Sequence, residues 1–99
     1  MAEGFTIEMF KPHTGSKFVM HCGNTGAVEL ELESVADLGS SARHIQFSMV
    51  FVGPQDAPLG QMTYRLDHPV LGALDLFLVP ISKDQSGVRY EAVVNRSIG

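Results

Sequence analysis

The chain has 99 residues and a formal net charge of −4, with 44% hydrophobic and 18% charged residues. This composition is typical of a folded globular protein and excludes a disordered chain, which is poor in hydrophobic residues and highly charged. The length suits one domain over residues 1–99. The seven basic residues are spread along an acidic chain without a cluster, so we expect no nucleic-acid surface.

The cysteine content and the apolar runs bear on the compartment of the protein and on its contact with membranes. Cys22 is the single cysteine, so no internal disulfide can form, and residues 1–4 lack the basic and apolar regions of a signal peptide. No apolar run approaches the ~20 residues that a membrane helix needs. We therefore expect a cytoplasmic protein that makes no membrane contact.

The first element predicted along the chain is a short N-terminal helix. Thr6 is a favourable N-cap, Glu8 suits the first turn, and Pro12 prevents the helix from continuing. Three large apolar side chains on this segment would cover an open end or edge of a sheet: Phe5, Met9 and Phe10.

From residue 17 onward the hydrophobic period changes to two, which predicts strands over residues 17–22 and 28–33. A three-residue turn ending in a left-handed glycine at Gly26 would pair residues whose numbers add to fifty. This register places Phe18 opposite Leu32 on the inside. It also places Met20 opposite Leu30, Lys17 opposite Glu33 and His21 opposite Glu29.

Four more strands follow with similar alternation, over residues 45–52, 62–68, 74–79 and 88–95. Most of the connections are short and rich in glycine and proline, which favours hairpins. We therefore predict a mainly β protein: a six-stranded antiparallel meander that closes into a small barrel, because closure removes the exposed edges of the sheet.

Two of these strands are apolar on both faces. Val50 and Val52 in the third strand, and Phe77 and Val79 in the fifth, would leave an apolar patch on the outside of the sheet. Either the N-terminal helix and the loops cover these residues, or a protein partner or second copy of the chain does. They form the candidate interaction surface.

The residue types that usually carry chemistry are also present. The four histidines and the cysteine lack the spacing of a zinc site, and adjacent strand residues such as His21 and Cys22 point to opposite faces, so we expect no metal. Cys22 is predicted to be a buried structural thiol. The row of Glu29, Glu31 and Glu33 is predicted to be a solvated face paired with Lys17 and His21. No nucleotide-binding or nucleophile motif occurs, so we expect neither enzyme activity nor a cofactor.

Three residues at one mouth of the predicted barrel form a candidate pocket: Tyr64, His68 and Tyr90. Such a pocket would hold a small apolar ligand, although barrels of this size are usually filled by side chains. The structural alternative is that His68 closes its hairpin or bonds a loop carbonyl. A hydrolase or thiol enzyme using Cys22 or His68 is the remaining alternative.

The chain also resembles a small uncharacterised bacterial family of β-barrel domains. The resemblance rests on three segments: FTIExFxPxxGxxF from Phe5 to Phe18, TYRLxHPxLGxLxLFLVP from Thr63 to Pro80, and YEAVxN from Tyr90 to Asn95. It implies no catalytic residue or cofactor, and it implies an association with phage-tail-like or tail-collar-like proteins. The leading hypothesis is therefore a non-enzymatic interaction or assembly module that uses an outer β-face.

Overall fold

A computed structural model describes residues 5–23 and 26–97 of the chain. It begins with the predicted helix, α1 (Ile7–Phe10), whose first turn is capped by the Thr6 hydroxyl accepting a hydrogen bond from the Met9 amide at 3.2 Å. A 3₁₀ turn at Lys11–His13 follows, and Pro12 lies within it. The α-helix therefore ends where proline was expected to end it.

Six strands follow, and they include every predicted strand. Their bounds are β1 (Lys17–His21), β2 (Ala27–Asp37), β3 (His44–Gly53), β4 (Met62–His68), β5 (Gly72–Asp84) and β6 (Gly87–Ser97). Strands β2 and β5 continue beyond their apolar cores into polar residues. Each of these two strands contains an irregularity in its pairing, between residues 32 and 34 in β2 and between residues 80 and 82 in β5.

All the strands pair antiparallel and form a closed ring in the order β1-β2-β3-β6-β5-β4, with β4 returning to β1. The predicted meander order is therefore wrong, because β3 pairs with β6 and not with β4. The connection over residues 54–61 is too long to be a tight hairpin turn, so it does not require its two strands to be neighbours. It crosses one end of the ring instead.

The register of the first hairpin also differs from the prediction. Phe18 pairs with Leu30 and Lys17 with Glu31, so the partner numbers add to 48 rather than fifty. A shift of two residues leaves every side chain on its predicted face, so the hydrophobic pattern cannot distinguish the two registers. Gly23 and Gly26 both have positive φ, whereas the prediction used only Gly26. The other two turn positions, 24 and 25, lie outside the described residues.

Large side chains fill the inside of the ring. The largest of the fully buried ones include Tyr90, Phe10, Phe18, Phe47 and Phe51. Phe10 brings α1 into this core, since its ring lies 6.1 Å from that of Phe47. At the other end, the Tyr64 hydroxyl donates to the Gly60 carbonyl at 2.6 Å, and the Tyr90 hydroxyl donates to the Pro58 carbonyl. The helix thus covers one end of the ring and the 54–61 connection covers the other.

Candidate interaction surface

The strand order brings the predicted surface residues of β3 and β5 onto one outer face. Strand β6 lies between them, and Glu91 on β6 pairs with Val50 on one side and with Val79 on the other. In the same way Val52 pairs with Arg89 on β6. The four apolar side chains therefore lie on the two strands that flank β6, whose Arg89 and Glu91 stand between them. The predicted meander would instead have placed β4 between β3 and β5.

Two large side chains on this face are more than half exposed. Phe77 on β5 is 51% exposed and Val93 on β6 is 55% exposed, while Val50, Val52 and Val79 are half-buried. Val93 was not assigned to the surface from the sequence, although the alternation of β6 places it outside with Arg89 and Glu91. The exposed part of the face is thus centred on Phe77 and Val93, closer to the start of β5 and the end of β6 than the four predicted residues suggest.

Helix α1 does not cover this face, because it packs against β2. Of the N-terminal residues described, Phe5 comes closest: it lines a groove of about 240 Å³ together with Phe77 and Val93. The Phe5 carbonyl accepts a hydrogen bond from Arg96 Nε at 3.0 Å, and its ring packs edge-on against Phe10 at 5.5 Å. Phe5 therefore lines the groove, while Phe77 and Val93 beside it stay more than half exposed.

The groove follows a seam where β5 and β6 separate. Their ladder runs from the pair Asp84 and Gly87 to the pair Val79 and Glu91. Residues 72–78 of β5 and residues 92–97 of β6 continue past that last pair, but within the described residues they do not pair with each other. The ring is thus closed by strand pairing along only part of this seam, from the pair Asp84 and Gly87 to the pair Val79 and Glu91.

The charged groups around the face are mostly paired. The Arg65 guanidinium lies 2.5 Å from the Asp75 carboxylate, and its hydrogen bond holds the pKa of Asp75 below its usual value. Arg89 pairs with Glu33 at 3.0 Å and with Asp84 at 3.6 Å. Glu91 takes part in none of the ion pairs found in the described part of the chain, so its carboxylate stands uncompensated between Val50 and Val79.

Two of the three glutamates in the predicted row on β2, Glu31 and Glu33, form salt bridges, but not with the predicted partners. Lys17 pairs with Glu31 at 3.0 Å because the register is shifted, and Glu33 pairs with Arg89. His21 pairs with Asp67 of β4 at 2.6 Å rather than with Glu29, since β4 borders β1 in the ring.

The three residues of the predicted pocket lie at two ends of the ring. Tyr64 and Tyr90 are neighbours, with ring centroids 6.5 Å apart, beneath the 54–61 connection. Burial raises the pKa of Tyr90 to about 12, so its hydroxyl remains a donor at neutral pH. His68 lies at the other end of β4, next to Phe18 and the 3₁₀ turn.

His68 closes its hairpin in the way that the structural alternative describes. Its Nδ1 accepts from the amides of Val70 and Leu71, at 3.0 and 3.2 Å. With Nδ1 unprotonated, Nε2 of the neutral ring donates to the Ser16 hydroxyl at 3.0 Å, and Ser16 in turn donates to the His13 carbonyl at 2.7 Å. Burial and the nearby His13 lower the pKa of His68.

This arrangement predicts a pH-dependent stability. Because the folded state binds a proton at His68 less readily than the unfolded chain does, the unfolded chain takes up more protons as the pH falls through about 6.5. His68 therefore makes its full contribution to the free energy of unfolding above that pH, and this contribution is lost as the pH falls below it. His68→Asn retains an acceptor near the Val70 amide but does not titrate, so its free energy of unfolding should fall less between about pH 7.5 and 5.5.

Urea unfolding of the two proteins across this pH range measures the difference. His44→Asn is the matched control, because His44 bonds Asn95 on the outer side of β3 and β6. Equal pH profiles for the wild type and His68→Asn would contradict the assignment.

Cys22 lies in a second, wider pocket of about 360 Å³ that also contacts Pro58, Met62 and Tyr64. The thiol is partly buried, and burial raises its pKa, which disfavours the thiolate that a nucleophile needs. Within residues 5–23 and 26–97, no group of three histidine, cysteine or acidic side chains could hold a metal ion. No described helix is long and apolar enough to cross a membrane.

Comparisons with known proteins place the chain in a family. Searches of curated proteins and of solved structures found no significant match. A family profile described as a domain of unknown function, DUF6916, matches residues 5–94. This match spans the helix, the first five strands and residues 87–94 of β6, and it is consistent with the expectation of an uncharacterised domain family. The chain therefore belongs to the DUF6916 family.

Proposed function

We propose that this protein is a non-enzymatic interaction or assembly module, and that its binding surface is the outer face of β3, β6 and β5. The observation that carries the proposal is the exposure of Phe77 and Val93 on neighbouring strands beside the same groove. Apolar side chains that are clustered and exposed usually mark a contact surface, whereas single ones carry no such meaning.

The interior of the ring supports this proposal over the binding of an apolar ligand inside it. The inward positions carry large, fully buried side chains, including Phe18, Phe51 and Tyr90. Both ring nitrogens of His68 already form hydrogen bonds, to the hairpin amides and to Ser16, so neither is free to bind a ligand. We therefore assign the proposed functional surface to the outside of the ring.

The resemblance adds a biological setting to the proposal. A ring of fewer than a hundred residues with one apolar face suits an accessory or adaptor between larger subunits, such as those of phage-tail-like assemblies. This setting predicts tail or fibre components among the neighbouring genes. Neighbourhoods without such components would remove the setting but would leave the interaction surface to be tested separately.

The interaction surface is tested by the double variant Phe77→Ser and Val93→Ser. Both side chains are already largely in water, so the free energy of unfolding should change by less than about 1 kcal/mol. Binding to a partner identified with the wild type should fall at least about tenfold, because central apolar contacts dominate interface energies. Calorimetric titration of the purified pair measures the loss.

The matched control is Val19→Ser together with Val70→Ser. These two exposed apolar side chains lie on β1 and on the β4–β5 turn, away from the proposed surface. The proposal predicts full binding by the control variant. Equal binding by the wild type and the Phe77/Val93 variant would contradict it.

A further inference from the structure

The open part of the seam presents two strand edges. Residues 72–78 of β5 pair with β4 on one side, and residues 92–97 of β6 pair with β3 on the other. Between these two stretches the described residues form no ladder, although each is extended and points its remaining N–H and C=O groups toward the gap. A strand edge of this kind is a template for pairing with another extended chain.

The usual means of blocking such an edge lie elsewhere on these strands. The proline and the bulge of β5 are at residues 80–82, in the part of the seam that is already paired. Neither open stretch contains a lysine or a proline, and their two charged residues are engaged, Asp75 with Arg65 and Arg96 with the Phe5 carbonyl. Phe5 lines the gap, and Phe77 and Val93 beside it are each more than half exposed among the described residues.

We propose that an extended segment of a partner protein adds to this seam as a β-strand, and that the segment carries an apolar residue and a lysine or arginine near one end. This inference rests on the proposed function and specifies the partner. The apolar residue packs between Phe77 and Val93. The cation lies near Glu91, the uncompensated carboxylate at the closed end of the seam, two residues from Val93 on the same face.

The open backbone groups and the charge both favour an extended basic peptide over other occupants. Unpaired amides and carbonyls in a row are satisfied by a peptide backbone, and strand addition gains its affinity from these bonds. The groove, at about 240 Å³, is smaller than the usual pocket for a drug-sized ligand. The net charge of −4 also favours a basic partner over an acidic one.

The probe is a short capped peptide of alternating threonine and valine that carries one lysine, compared with the same peptide carrying glutamate instead. NMR titration of the full chain should show the lysine peptide binding about tenfold more tightly. Amide exchange should slow at residues 73–78 and 92–95 in the complex. Glu91→Lys should reverse the preference between the peptides, whereas Glu29→Lys, on β2 at the far side of the ring, should not.

Three outcomes would overturn the proposal. The first is equal binding of a backbone N-methylated peptide, which cannot extend a ladder. The second is chemical-shift changes confined to residues outside the seam. The third is a concentration-dependent dimer that protects the same amides without peptide, which would assign the seam to a second copy. If partner binding is lost in the Phe77/Val93 variant while these peptide tests fail, the interaction surface stands and only strand addition is refuted.

Discussion

Gly87→Ala is expected to lower the free energy of unfolding by about 3–5 kcal/mol. Gly87 has a φ of +126°, a conformation that side chains with a β-carbon rarely adopt. It is also buried, and a β-carbon placed on it would overlap the Gly53 carbonyl oxygen of β3. Because this neighbour is backbone that pairs with Val88, it cannot rotate away.

The matched control is Gly72→Ala in the β4–β5 turn. Gly72 also has a positive φ, of +78°, but a β-carbon there would have no neighbour within 4 Å. The control should therefore cost only the backbone strain of about 1–2 kcal/mol. Chemical denaturation of the three proteins compares the losses. Equal losses for the two variants would show that the contact between Gly87 and Gly53 contributes nothing.

Phe10→Ala is expected to lower the free energy of unfolding by about 3–5 kcal/mol. Phe10 is fully buried, and its ring lies between that of Phe5, at 5.5 Å, and that of Phe47, at 6.1 Å. Removing it leaves a cavity where α1 meets the end of the ring. Because Phe5 loses its neighbour, the groove beside Phe77 should also become more mobile, which amide exchange at residues 92–95 would detect.

Phe77→Ala is the control for this variant, since it removes the same ring from a site that is 51% exposed. Its cost should be below about 1 kcal/mol. A similar loss of stability for the two variants would contradict the idea that α1 closes the ring through Phe10.

The local elements of the fold could be predicted because each depends on residues close together in sequence. Thr6 and Pro12 set the start and end of the N-terminal helix, and the period-two pattern assigned both the strands and their inward faces. The short connection between β4 and β5 likewise forms the predicted hairpin, with Gly72 at positive φ. In each case the deciding interaction spans only a few residues.

The strand order could not be predicted in the same way. A turn as short as that between β4 and β5 forces its strands to pair, but the 54–61 connection permits either a hairpin or a crossing. The choice depends on which edges meet when the ring closes, and those contacts join distant residues such as Phe51 and Tyr90. The same holds for the β1–β2 register, where two alternatives bury identical faces.

For the candidate surface too, some features depend on local sequence and others on contacts between distant residues. Alternation by itself determined that Val50, Val52, Phe77 and Val79 point outward, and it placed Val93 outside as well. Only the tertiary structure decided that β6 lies between them on one face and that α1 packs against β2. It also decided that the pairing of β5 with β6 ends at Val79 and Glu91. The side of the sheet to which a side chain points follows from the strand geometry at its own position. Whether an apolar face is covered depends instead on which distant segments the closed ring brings beside it.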